Sequence, residues 1–219
     1  MKSIILIAPP AAGKGTEAEI LKERYNIPHI STGDLLREAS RENTKEGLEI
    51  KEQLESGSLV DDDTVMKLLK KRITEADCDN GYILDGFPRT VMQAITYENM
   101  LTTINKELGH VIYMDIDKET AKNRIIGRIN CPKCGKVYND LVDGLKPKMM
   151  GICDKCHVAL YKRSDDNAKV FEDRFNQYME KTFKLIDYYK VKGVLKTVDS
   201  SISKEHTDLQ IERILKEDK

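Results

Sequence analysis

The chain lacks a surplus of charge. Its 36 basic residues face 37 acidic ones, for a net charge of −1. Proteins that bind nucleic acid or membrane surfaces usually carry a basic bias, so neither partner is expected. Long apolar runs are missing as well. The first one, Ile4 to Ala8 in MKSIILIAPPAA, is shorter than the roughly 7–15 residues of a signal-sequence core, and it leads straight into GKGT. A buried strand and a cytoplasmic location are the expectation, and no later stretch reads as a bilayer span. Arginine is scarce: ten arginines against 26 lysines. Where arginine does occur, it suggests a need for planar, bidentate donation to oxyanions. Neither an internal repeat nor a low-complexity tract interrupts the chain.

What is present fits one large domain or a core with inserts: 219 residues, 40% hydrophobic and 33% charged. Short β-rich runs (3–8, 82–86, 110–116, 193–199 and, more weakly, 27–31) alternate with helical patterns. Val60, Val65, Leu68, Leu69 and Ile73 recur at helical spacing around the capping run Asp61-Asp62-Asp63. Phe171, Phe175, Tyr178, Met179, Thr182 and Ile186 form a second stripe, and Leu209, Ile211, Ile214 and Leu215 a third. The alternation predicts an α/β fold, a parallel sheet with helices on both faces. Residues 31–60 and 129–163 break it and read as inserts.

The segment APPAAGKGT (8–16) follows the first strand. A turn there can aim backbone N–H groups at phosphate oxygens, with a helix N-terminus and a lysine adding positive potential. Ala11, Ala12, Gly13, Lys14, Gly15 and Thr16 all keep an N–H group, whereas Pro9 and Pro10 donate none. Ala8 is tolerated where its φ is negative. The plainer alternative is an ordinary strand–turn–helix with a chance GKGT, and on this stretch alone the phosphate reading is the favoured one. In YILDGFPRT (82–90), Asp85 ends a buried strand, where open α/β sheets gather ligands. It is placed to hold Mg²⁺ directly or through water, the plainer alternative being a helix-capping turn.

Cys131-x2-Cys134 and Cys153-x2-Cys156, eighteen residues apart, match a zinc pattern. Four thiolates close a tetrahedral site and leave no open position, so a structural ion is expected. His157 is a weaker substitute ligand for Cys156. The fifth cysteine, Cys78, reads as a small buried thiol.

Taken together, GKGT, STGDLLRE, SGSLV, LDGFPRTVMQA, RIIGR and RSDDN, in this order and spacing, resemble the adenylate kinases, over nearly the whole chain. The resemblance implies a P-loop NTPase-like core (1–30, 61–128 and 164–219), an NMP-binding insert (31–60) and a zinc-binding LID (129–163). It also implies Mg²⁺-dependent phosphoryl transfer from ATP to AMP, giving ADP, by a monomer. By the same resemblance, Lys14 and the loop amides hold ATP, with Thr16 near Mg²⁺. Arg124 stacks on the donor adenine. Arg128, Arg163 and Arg174 close on the transferring group, and Arg37 and Arg89 grip the AMP phosphate. Thr32, Leu59, Val60, Gly86 and Gln93 complete the AMP site, with Arg163 and Arg174 reaching it too. Asp85 positions Mg²⁺, and Asp165 and Asp166 match a lid-side acidic pair. The family pattern has glycines where Ala8 and Ala11 stand. A kinase for another nucleoside monophosphate, a non-catalytic nucleotide binder and a zinc-ribbon NTPase acting on nucleic acid are the rival readings.

Overall fold

A computed structural model describes residues 2–55, 60–142, 144–162 and 166–217. Five strands, β1 (Ile4–Ile7), β2 (His29–Ser31), β3 (Ile83–Asp85), β4 (His110–Asp115) and β7 (Leu195–Asp199), form one parallel sheet in the order β2-β3-β1-β4-β7. Every run expected as a strand lies in it. In register, Ile4, Ile5 and Leu6 of β1 face Ile83, Leu84 and Asp85 of β3. On the other side, β1 pairs with β4 from Ile4–His110 to Ile7–Tyr113.

The continuous apolar character of β1 follows from its central place. Strand side chains alternate between faces, and both faces of β1 are covered. Ile5 and Ile7 pack with Leu84 and Val111 against α4 (Asp62–Ile73), α5 (Val91–Thr103) and α8 (Lys184–Val191). Ile4 and Leu6 pack with Ile83, Ile112 and Val198 against α1 (Lys14–Tyr25), α6 (Lys118–Ile126), α7 (Ala168–Gln177) and α9 (Lys204–Glu217). All four β1 side chains are at most 2% exposed, each such burial contributing about 1.5–3 kcal/mol.

The Val60–Ile73 stripe faces the core as its spacing predicts, and Asp61 caps α4 by accepting from the Thr64 N–H at 2.8 Å. The Phe171–Ile186 stripe is not one helix. A π-helical segment, Tyr178–Thr182, separates α7 from α8, with the Phe183 N–H donating to the Tyr178 carbonyl at 2.8 Å. The wider turn shifts the helical phase, so Met179 is exposed while Leu185 and Tyr189 are buried. Leu209 likewise faces solvent, and Ile211 and Leu215 carry the burial of α9.

Residues 31–60 contribute α2 (Thr32–Ala39) and α3 (Lys45–Glu55), beyond the carboxyl end of β2. Between α6 and α7 lies a separate antiparallel ribbon, β5 (Arg128–Asn130) with β6 (Val137–Asn139). Asn139 ties it to α6: the side-chain amide donates to the Arg124 carbonyl at 2.8 Å and accepts from the Leu141 and Val142 N–H groups. Among the described residues no helix is long and apolar enough to cross a membrane.

Candidate active site

The loop after β1 and the ends of β2 and β3 meet at one rim of the sheet, because parallel pairing puts all their carboxyl ends there. In the loop, φ is +64° at Ala11 and +95° at Gly13, and Ala8 and Ala12 keep negative values. Alternating handedness of this kind curls a backbone so that its N–H groups point into a common concavity. The Ala12 N–H closes a turn onto the Pro9 carbonyl at 3.4 Å, and that of Thr16 donates to Gly13 at 2.9 Å. The amides with no acceptor among the described residues are therefore those of Ala11, Gly13, Lys14 and Gly15. On sequence alone, Ala12 and Thr16 also offer their N–H groups to a ligand. Folding assigns their N–H groups to turn closure and leaves Thr16 its hydroxyl.

Lys14 bends back over the loop, its ammonium donating to the Ala8 carbonyl at 3.1 Å. Burial lowers its pKa from the ordinary lysine value. Asp85 opposes that shift, and Arg89 and Arg174 add to it. Arg89 borders solvent on one side, yet the protein around it, with Arg174 nearby, lowers its pKa too. For Asp85, burial alone would raise the pKa. The His29 imidazole, followed by Lys14 and Arg89, outweighs burial and keeps the carboxyl below its ordinary value. His29, Lys14 and Arg89 thus face one carboxylate.

His29 is a site neighbour that the sequence marks only as part of a weak strand. Its Nε2 lies 3.5 Å from Asp85 Oδ2, and Nδ1 lies 3.0 Å from Glu19 Oε1. Burial disfavours its charge, but the two carboxylates prevail and raise its pKa. No spacing rule joins His29 to Asp85; the β2–β3 pairing does.

Around the end of β3, Gly86 (φ +80°) lets two partners approach. A Cβ there would lie 3.3 Å from Thr32 Oγ1 and 3.5 Å from an Arg89 nitrogen. The Thr32 hydroxyl and Arg89 Nε both donate to the Gly86 carbonyl, at 3.2 and 2.8 Å. Gln93 is held at both ends of its carboxamide: Oε1 accepts from the Arg89 N–H at 2.7 Å, and Nε2 donates to Asp62 Oδ1 at 2.6 Å. Val60 is buried at the start of α4. Arg37 stands apart in α2, largely exposed and paired with Asp34 at 2.5 Å. Leu59, Arg163 and Asp165 lie outside the described residues.

Two further arginines are anchored rather than free. Arg124 donates to the carbonyls of Ser200 and Ser201 at 2.7 and 3.0 Å. Arg128 makes a two-pronged ion pair with the buried carboxylate of Asp166, Nε donating at 2.8 Å and Nη2 completing the pair. Its Nη1 has no partner among the described residues.

The four sulfurs of Cys131, Cys134, Cys153 and Cys156 lie within 4.8 Å of one another. Zn–S bonds of about 2.3 Å in a tetrahedron place sulfurs about 3.8 Å apart, and Cys134 and Cys153 are separated by 3.8 Å. The donor set therefore fits a metal ion. The two halves are built alike: Gly135 donates its N–H to the Cys131 carbonyl at 3.1 Å, and His157 to that of Cys153 at 2.9 Å, with φ of +70° and +54°. His157 is thus the turn residue of the second knuckle, the counterpart of Gly135, and lies outside the cysteine cluster. The Tyr138 hydroxyl sits 3.4 Å from Cys153 Sγ and accepts from the Asp154 N–H at 2.8 Å.

The loop amides, Lys14, Asp85, Arg89 and Gln93 thus gather around the carboxyl ends of β1 and β3. The family model for adenylate kinase matches residues 6–194. Curated relatives named adenylate kinase extend the likeness to nearly full length. One from Kosmotoga olearia is 46% identical over 93% of this chain and 94% of its own. Another from Thermotoga maritima is 43% identical over 98% and 97%, and one from Allorhizobium ampelinum 42% identical over 97% and 98%. The chain belongs to the adenylate kinase family. Its activity is that of an ATP:AMP phosphotransferase, and the zinc-ribbon NTPase reading falls away. In this adenylate kinase, Ala11 of the loop places a residue with a Cβ in a left-handed conformation.

Proposed function

We propose that this adenylate kinase divides its work between the two pockets at the sheet rim. The Ala11, Gly13, Lys14 and Gly15 amides and the Lys14 ammonium hold the donor polyphosphate of ATP, at the loop and the N-terminus of α1. Arg89, with Arg37 closing from α2, takes the AMP phosphate. Thr32, Val60, Gly86 and Gln93 receive the adenosine, Gln93 offering the donor and acceptor that adenine's N1 and 6-amino group require. Arg174 faces Lys14 and Arg89 across the gap where a phosphoryl group passes. Arg128 and Arg163 bring charge from the LID and exclude water as it closes. Arg124, with its guanidinium fixed by Ser200 and Ser201, offers a flat cationic face to the donor base.

Asp85, kept ionised by His29 and Lys14, would hold Mg²⁺ through water together with the Thr16 hydroxyl. The ion supplies charge neutralisation between the phosphates. Phosphoryl transfer asks for in-line positioning and electrostatic stabilisation rather than covalent help. One observation carries this reading: His29, Lys14 and Arg89 converge on the Asp85 carboxylate, at the same rim where the Ala11, Gly13, Lys14 and Gly15 amides have no acceptor among the described residues. Positive potential from a lysine, an arginine, loop amides and a helix N-terminus at one rim favours an anionic ligand there.

We further propose that the cysteine cluster holds Zn²⁺ as a structural staple, the thiolate set selecting zinc-like ions, and that the protein is a cytoplasmic monomer. Mixing pure protein with ATP, Mg²⁺ and AMP, beside CMP, UMP and GMP, tests the assignment. ADP should form rapidly with AMP alone. Equal rates with a pyrimidine monophosphate would move the acceptor to another nucleotide.

A further inference from the structure

The carboxamide of Gln93 has two orientations that differ only in which end accepts, and the two read different bases. With Oε1 toward the 6-position and Nε2 toward N1, it matches adenine, which carries a 6-amino donor and an N1 acceptor. Turned over, it matches a 6-oxopurine, which carries an oxygen at C6 and a proton on N1. A free glutamine samples both at little cost, so a site that separates them must fix the flip.

Here the flip is fixed from two sides by groups of unambiguous polarity. The Arg89 backbone N–H can only donate, and it meets Oε1 at 2.7 Å. A carboxylate can only accept, and Asp62 Oδ1 meets Nε2 at 2.6 Å. Asp62 stands 31 residues before Gln93, in the first turn of α4, next to the helix cap Asp61. Gln93 lies in the first turn of α5, and the hydroxyl of the helix cap Thr90 accepts from the Gln93 N–H at 3.1 Å. The backbone is therefore pinned as well, and the amide is the one remaining freedom. Each tether uses one hydrogen-bonding position of its atom, so Oε1 keeps a lone pair and Nε2 keeps a hydrogen for the base.

We infer that Asp62 is a positioning residue that sets base specificity by locking the Gln93 carboxamide in its adenine-reading orientation. This rests on the proposal that Gln93 meets the acceptor base. Asp62 touches neither the reacting phosphates nor the base. Its effect reaches the base through Gln93, so it should appear in acceptor KM and in base choice rather than in the chemical step. The Arg89 N–H is a neutral donor and cannot be removed by changing a side chain, so loss of Asp62 weakens the lock without abolishing it.

The test compares Asp62→Asn with the parent enzyme for AMP and for its 6-oxo analogue IMP, with ATP saturating. Asparagine keeps the shape but can present either polarity, and it loses the charge-assisted bond. KM for AMP should rise about tenfold with little change in kcat, and the preference for AMP over IMP should fall about tenfold, the value of one such hydrogen bond. Asp63→Asn removes the same charge from the same helical turn and should change neither. Gln93→Ala is run alongside. If it erases the AMP preference while Asp62→Asn leaves the AMP/IMP ratio intact, the locking role is overturned and the base-reading role of Gln93 stands. Failure of Gln93→Ala to alter AMP preference would remove both. An equal loss in Asp63→Asn would reduce the effect to charge.

Discussion

Replacing Glu17 by glutamine should make the protein more stable, and only above a certain pH. Glu17 lies in α1, one residue past the phosphate loop, and is 2% exposed, with Oε2 lacking any partner among the described residues. Burial pushes its carboxyl up to about 7. Asp208 and Glu205 add to the rise, and Lys204 and Arg24 oppose it. The unfolded chain releases this proton near 4.5, the folded one near 7. Because the folded-state value is the higher, its contribution is fully present below pH 4.5 and lost progressively up to pH 7. Linkage gives a loss of about 2.5 kcal/mol between pH 5 and pH 8. Glutamine keeps the shape and carries no charge at either pH. For a chain of this size 1 kcal/mol is about 2–4 °C in Tm. The Tm advantage of Glu17→Gln over the parent should therefore widen by roughly 5–10 °C from pH 5 to pH 8. Thermal unfolding by circular dichroism in matched buffers reads this directly. A gap that is the same at both pH values would refute the buried-proton reasoning and leave only a packing effect.

Arg89→Met should cut turnover by about 10²–10³-fold, the cost of removing one charge-stabilising donor, with an unchanged circular dichroism spectrum; a coupled ADP assay checks it. Stripping the metal with a chelator should lower the unfolding temperature while turnover at low temperature persists. Complete loss of activity in a protein still folded would count against a purely structural ion. Ala11→Gly should stabilise by up to about 1 kcal/mol, since a Cβ at φ +64° is strained. Denaturant titration measures this, and destabilisation would mean that the entropy of glycine outweighs the strain relieved.

Much of the site was legible as short local grammar. The phosphate loop, Asp85 with Gly86 and Arg89, and the paired cysteine knuckles are motifs because each sits within one strand–turn–helix or one turn, where neighbours in sequence are neighbours in space. Gln93 could be named from the same stretch, but the flip of its amide could not. Asp62 read as part of a capping run, and nothing at helical spacing says that one of three aspartates reaches across to α5. His29 is similarly hidden in a weak strand, and the Arg128–Asp166 pair joins residues 38 positions apart that no local pattern links. The misread stripe at Phe171–Ile186 has a different cause: a π turn adds a residue to the helical period, and apolar side chains alone do not mark where.

The sequence by itself determined the sheet order's ingredients, the phosphate loop, the thiolate quartet and the family. These depend on local conformation and on apolar patterning, which alternate along the chain in a readable period. Only the tertiary structure decided which loop amides stay free, which carboxylate steadies His29, which aspartate orients Gln93 and where each arginine is moored. Those are contacts between elements whose distance apart along the chain carries no information about their distance in space.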